Sequence, residues 1–143
     1  MRPRPPGRGR ARHSHPRRPL RDAYLQRATW QPGYTVVTWR GRHVAEPTEL
    51  DDEEACGYWR EVLRVASALQ RHYRPVKMNY QTLGNAVPHL HTHLLPRFRQ
   101  DPAPGRPLPF PEGERPHLPE DVLRADALAL RSRNGWRPRG PRW

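Results

Sequence analysis

Three histidines, His89, His91 and His93, stand at alternate positions in the run Val87-Pro88-His89-Leu90-His91-Thr92-His93-Leu94-Leu95. Alternate side chains of a strand share a face, so the three imidazoles are expected to point one way and Leu90, Thr92 and Leu94 the other. A row of imidazoles is a poor core filling, because each ring carries two nitrogens that need partners. It suits an anion or a metal ion. Neutral imidazole is a ligand for zinc, iron or copper. Three same-face positions, however, spread over about 13 Å of strand at ~3.3 Å per residue. No cysteine accompanies them, and Glu61 is the only acid between residues 55 and 100. The competing chemistry is phosphoryl transfer. Imidazole is a nucleophile at neutral pH, and its neighbours can hold phosphate oxygens and protonate a leaving group.

The elements that must position this row are legible around it. The stretch from His89 to Pro96 reads as a strand. Val76 to Gln81 reads as its partner, with Thr82-Leu83-Gly84-Asn85 between them. Tyr34 to Trp39 is β-branched and aromatic, bounded by Pro32-Gly33 and Gly41, and predicts a further strand. Ala23 to Ala28 is a candidate strand before it, with Gln31-Pro32-Gly33 as the turn. Residues 51–73 predict the main helix. Asp51 and Glu54 form a capping-box pattern, acids fill the first turn, and Pro75 ends it. Ala55, Trp59, Val62, Ala66, Leu69 and Tyr73 recur at helical spacing as its buried stripe, with Cys56 beside them as a small packing residue. Residues 119–133 predict a second helix, opened by Pro119 and stopped by Asn134-Gly135.

With 143 residues the chain suits one modest domain. Its formal net charge of +12 invites a nucleic-acid partner. The charge is confined to the ends: 13 of the 26 basic residues lie in 1–21 and 131–143, where there is no acid, and the other 13 face all 14 acids in 22–130, a span of net −1. Residues 1–21 are Arg, Pro and Gly with little to bury, and are expected to be a disordered tail. The expected organisation is this tail, a domain over 22–110, and a C-terminal extension over 111–143 holding the second helix and a basic tail. Salt-sensitive nucleic-acid binding by the tails is the partner that this charge suggests. Cys56 is the single cysteine, so an internal disulfide is excluded. No apolar run approaches the ~18–20 residues of a membrane span. The Arg-rich N-terminus lacks the apolar core of a secretory signal, so a cytoplasmic protein without membrane contact is expected.

The central run resembles the signature of the histidine-triad (HIT) family, His-φ-His-φ-His-φ-φ, where φ is an apolar residue. Thr92 replaces one φ. Gly84 and Val87 match the family's Gly-x-x-Val before the first triad histidine, while Asn85 and Ala86 stand where other branches carry Gln or Glu and Ser or Thr. Pro96-Arg97 is similar to the dinucleoside polyphosphate hydrolase branch. Asn79 resembles the Asn or Asp that faces the nucleotide. Pro32-Gly33-Tyr34 resembles Pro-Gly-His, with Tyr34 in place of the histidine, and His43 aligns with a histidine at the end of that strand. The likeness runs from about Pro32 to Pro109.

The resemblance implies an α+β fold: an antiparallel sheet of about five strands, the 51–73 helix on one face, a short C-terminal helix, and the triad strand facing an open cleft. It implies a nucleotidyl hydrolase or transferase acting on a dinucleoside polyphosphate or nucleoside phosphoramidate. His91 would attack the α-phosphorus, with His89 and His93 orienting it and assisting the leaving group. Asn79, His43, Gly84, Asn85 and Val87 would bind substrate. No cofactor or resident metal is implied, and a homodimer is. Two alternatives belong to other classes: a nucleotide-binding regulatory protein with little turnover, and a nucleic-acid-associated protein acting through its Arg-rich tails.

Overall fold

A computed structural model describes residues 21–109, 112–113 and 116–134. The expected tail over 1–20 and the basic segment over 135–143 lie outside the described residues. Four strands form one antiparallel sheet: β1 (Arg21–Leu25), β2 (Thr35–Trp39), β3 (Lys77–Leu83) and β4 (His91–Arg97), in the order β1-β2-β4-β3. Helix α1 (Asp52–Tyr73) connects β2 to β3, and α2 (Glu120–Asn134) follows the sheet. The fold is α+β as expected, but among the described residues the sheet has four strands rather than five. Ala28 and His117 make an isolated antiparallel bridge that does not grow into a fifth strand. The segment that supplies it is rich in Pro, which has no N–H to give a ladder.

Strands β1 and β2 explain themselves by alternation. In β2, Thr35, Val37 and Trp39 are buried and Val36 and Thr38 half-buried. The buried set packs with Ala23, Leu25, Met78 and Leu94 against α1. Fully burying each Val or Leu contributes about 1.5–3 kcal/mol. The opposite face carries Val36, Thr38, Asn79, Gln81, His91 and His93, since directly paired residues of an antiparallel ladder share a side.

Helix α1 starts where the capping box places it. Glu54 N donates to Asp51 Oδ1 at 2.8 Å, and Asp51 N donates to Glu54 Oε2 at 3.1 Å. It ends at Arg74, which takes the left-handed conformation (φ 50°) immediately before Pro75. Its buried face is Tyr58, Val62, Val65, Ala66, Ala68 and Leu69. Two expectations fail here. Trp59 is 38% exposed, and Tyr58, one residue earlier, takes the core position. Cys56 is exposed and packs against no core. The reason for the first lies across the sheet. Tyr58 Oη donates to the Val37 carbonyl at 3.1 Å and lies 2.9 Å from Thr92 Oγ1, which is itself 2.9 Å from Thr82 Oγ1. The carbonyl can only accept, so the hydroxyls order themselves from Thr82 through Thr92 to Tyr58. This chain satisfies the polar residue that interrupts the apolar set on β4.

Helix α2 belongs to the same core through Leu123 and Leu130. It is clasped to the end of α1: Tyr73 Oη donates to Asp126 Oδ2 at 2.7 Å, and His72 Nε2 lies 3.2 Å from Asp126 Oδ1.

Candidate active site

The open face of β4 carries His91 and His93, half-buried and in edge-to-face contact with ring centroids 4.9 Å apart. His91 Nδ1 lies 2.6 Å from the carbonyl oxygen of His89. A carbonyl can only accept, so this contact puts the His91 proton on Nδ1 and leaves a lone pair on Nε2. His93 Nδ1 is 2.8 Å from the hydroxyl of Tyr34, and the two rings stack at 5.9 Å and 24°. Burial, reinforced by the neighbouring His91, pushes His93 down to about 4, so the ring is neutral at pH 7.

His89 does not continue the row. The ladder begins at His91, and the chain bends just before it, with His89 N donating to the Val87 carbonyl at 2.8 Å. Pro88 has no N–H to extend the pairing. The His89 ring turns instead to β2 and its following loop. Its Nε2 donates to the Trp39 carbonyl at 2.9 Å, and it stacks on His43 at 5.3 Å with Nδ1 atoms 3.2 Å apart. With Nε2 protonated, neutral His89 accepts at Nδ1 and His43 donates. His89 therefore meets the nucleophile candidate through its backbone oxygen. Among the described residues no three His, Cys, Asp or Glu side chains group to hold a metal ion.

A comparison with known families matches the HIT domain model over residues 17–100, more than half of the chain. The chain belongs to the HIT domain family. Its fold is similar to a histidine triad protein from Bradyrhizobium japonicum, with TM-score 0.74, 25% identity, and coverage of 84% of this chain and 87% of that one. A second histidine triad protein, from Marinobacter aquaeolei, gives TM-score 0.66 at 26% identity over 80% of this chain and 85% of its own. Among curated proteins, "Protein hit" of Bacillus subtilis is 28% identical over 81 residues, which is 53% of this chain and 55% of the relative. An uncharacterized HIT-like protein of Methanocaldococcus jannaschii is 28% identical over 83 residues, 55% of this chain and 64% of its own length. This HIT chain thus spans between about half and two thirds of the curated relatives it matches.

The remaining expected site residues of this HIT chain fall in two groups. His43 joins His89, as described. Gly84, Asn85 and Val87 lie in the bend between β3 and β4; an added Cβ at Gly84 would meet no atom within 4 Å, so only open space adjoins it. Asn79 sits farther along β3, opposite Leu95, and its Oδ1 accepts from Arg97 at 2.6 Å. That leaves its amide nitrogen for a ligand. It borders a cleft of about 710 Å³ whose walls include Lys77, Gln81, Arg97, Arg99 and Arg106 but none of the three histidines. The cleft runs along the sheet edge, and Gln81 links it to the site because Gln81 pairs with His93.

Sequence reasoning missed two residues of the site. Tyr34 looked like the loss of a histidine, yet it is hydrogen-bonded to His93. Gln81 carries a buried Oε1 with no hydrogen-bond partner among the described residues. Leaving such an atom unpaired costs about 1–3 kcal/mol. Its only sequence signal was strand alternation, which puts it on the face of Asn79.

The depressed pKa of His93 has a measurable consequence. The unfolded ring takes up a proton below 6.5, whereas the folded ring resists until about pH 4. The stabilisation is present above 6.5 and is lost as pH falls toward 4, because the unfolded chain binds more protons in that window. Urea midpoints are expected to fall more steeply from pH 7 to 4.5 in the wild type than in His93→Gln. Equal slopes in the two proteins would mean that His93 titrates normally.

Proposed function

We propose that this chain is a nucleotidyl hydrolase or transferase of the dinucleoside polyphosphate hydrolase-like type, working through a nucleotidyl group on His91. The observation that carries this reading is the 2.6 Å contact from His91 Nδ1 to the His89 carbonyl, which in the neutral ring places the proton on Nδ1 and the lone pair on Nε2. The Nε2 lone pair attacks the α-phosphorus, and a P–N bond forms. The bond from phosphorus to the polyphosphate oxygen or amine nitrogen breaks, and its electron pair departs with the leaving group, an amine taking its proton from solvent water. His91 becomes an imidazolium whose Nδ1–H remains on the His89 carbonyl, a contact that strengthens as the ring gains charge. Water then attacks phosphorus, releases a proton to solvent, and returns the P–N electron pair to Nε2. His93 orients the nucleophile and holds an oxygen of the transferred group, while His89, its ring engaged with Trp39 and His43, positions His91 through its backbone carbonyl. The amide of Asn79, His43 and the bend of Gly84, Asn85 and Val87 bind substrate.

The test is direct. The protein is incubated with diadenosine polyphosphates and with an adenylyl phosphoramidate, and AMP is quantified. AMP release from either substrate supports the reading. Nucleotide binding without AMP from both would favour a regulatory binding protein.

The basic ends supply a separate, accessory partner in this reading, a nucleic acid held through phosphates. Deleting residues 1–20 is expected to leave kcat on a small nucleotide within a few-fold, because none of the proposed site residues lies there. It is also expected to remove most low-salt binding to DNA or RNA, which falls steeply with ionic strength. A collapse of kcat in a folded truncation would place the arm in the active site.

A further inference from the structure

We propose that Tyr34 is a positioning residue that donates its hydroxyl hydrogen to His93 Nδ1 and thereby holds that imidazole as the Nε2–H tautomer beside the His91 nucleophile. The inference rests on the reading of His91 given above, and it concerns a residue at which this chain departs from the Pro-Gly-His pattern.

The seat of Tyr34 is built. Gly33 precedes it with φ 78°, and an added Cβ there would lie 2.6 Å from the Tyr73 ring and 2.9 Å from Pro96 Cγ. Only glycine fits both the conformation and the space. The backbone of Tyr34 is tied on both sides, with its N–H donating to Gln31 O at 3.2 Å and its carbonyl accepting from Gln26 N at 2.8 Å. The Trp30 ring leans on the phenol at 5.4 Å and 54°. From this seat at the start of β2 the hydroxyl reaches His93 on the neighbouring β4 at 2.8 Å, an ordinary length for such a bond.

The direction of the bond follows from the groups. A phenol is the more acidic donor, and a neutral imidazole nitrogen the more basic acceptor. Burial pushes the Tyr34 hydroxyl up to about 12, so it keeps its proton at neutral pH. His93 is neutral there and has one lone pair to offer. Accepting at Nδ1 puts its proton on Nε2. The two adjacent rings then hold opposite tautomers: His91 presents a lone pair at Nε2, and His93 presents an N–H. A pair so arranged can attack phosphorus with one ring and hold an oxygen of the same group with the other. The donor is a group that does not titrate near pH 7.

The experiment compares the wild type with Tyr34→Phe, which keeps the ring and its packing. In histidine-labelled protein, nitrogen NMR reads the state of each imidazole nitrogen. Wild-type His93 is expected to show a protonated Nε2 and an Nδ1 shifted by an accepted hydrogen bond. In Tyr34→Phe the Nδ1 signature should move to that of an acceptor without the phenol, with a growing Nδ1–H fraction. On an adenylyl phosphoramidate, kcat should drop about tenfold with little change in KM, the scale of one ordinary hydrogen bond. A wild-type His93 protonated at Nδ1, or an Nδ1 signal identical in the two proteins, overturns the proposal. A wild type that shows the expected tautomer but releases no AMP refutes the proposed function while supporting the role of Tyr34.

Discussion

Replacing His91 with Gly or Ala is expected to lower turnover by roughly 10⁴-fold or more while nucleotide affinity stays within a few-fold of the wild type. Removing a nucleophile leaves only binding and polar stabilisation of the transition state, and losses of that scale or larger are measured for other covalent catalysts. Affinity should survive because the groups proposed to hold the nucleotide lie elsewhere. Asn79 is on β3, Gly84 to Val87 form the bend, and His43 is stacked with His89 beyond the end of β2. The small variant also leaves the core intact, since the His91 side chain stands on the face opposite α1. Single-turnover rates and equilibrium titration with a non-hydrolysable nucleotide separate the two quantities. A parallel loss of both would assign His91 to binding rather than to attack.

Arg97→Ala is expected to destabilise the fold by about 3–5 kcal/mol, the cost of stripping one partner from a buried, hydrogen-bonded charge pair. The side chains of Arg97 and Asp101 are 8% and 6% exposed and meet at 2.5 Å. The guanidinium also donates to Asn79 Oδ1 at 2.6 Å, the Arg106 carbonyl at 2.8 Å and the Ala103 carbonyl at 2.9 Å. It staples the segment after β4 to the sheet edge and aims Asn79. Urea unfolding measures the loss. In an Asp101→Ala background the same substitution should cost clearly less, because no carboxylate is then left unpaired. Equal costs in both backgrounds would show that the pair is not what Arg97 contributes. Lys at this position cannot reach four acceptors in a plane and should restore little.

Local pattern carried much of this architecture. The reciprocal bonds of Asp51 and Glu54 are what the capping-box spacing requires, and the alternation in β2 survives residue by residue. What escaped depends on partners distant in the chain. Helical spacing accommodates either Trp59 or Tyr58 in the stripe. Tyr58 goes inward because its hydroxyl finds Val37 and Thr92, 21 and 34 residues away. The same contact explains Thr92, a mismatch to the triad signature when read along the strand alone. Strand alternation also carried the row of imidazoles one residue pair too far. It has no means of registering that the chain bends at Val87 to His89 before the ladder begins. Tyr34 read as a missing histidine because its partner, His93, is 59 positions away. Arg97 matched a family motif by position, while its guanidinium is spent inside the fold.

The measurement closest to the centre of this account is identification of the covalent species. Wild-type protein mixed with an adenylyl phosphoramidate is quenched in base within the first turnover, digested, and examined by mass spectrometry. The account predicts an adenylyl group on the peptide containing His91, stable in base, released as AMP by mild acid, and absent from His91→Gly. A wild-type enzyme that turns over but never carries this group, or that carries it on His89 or His93, would contradict it.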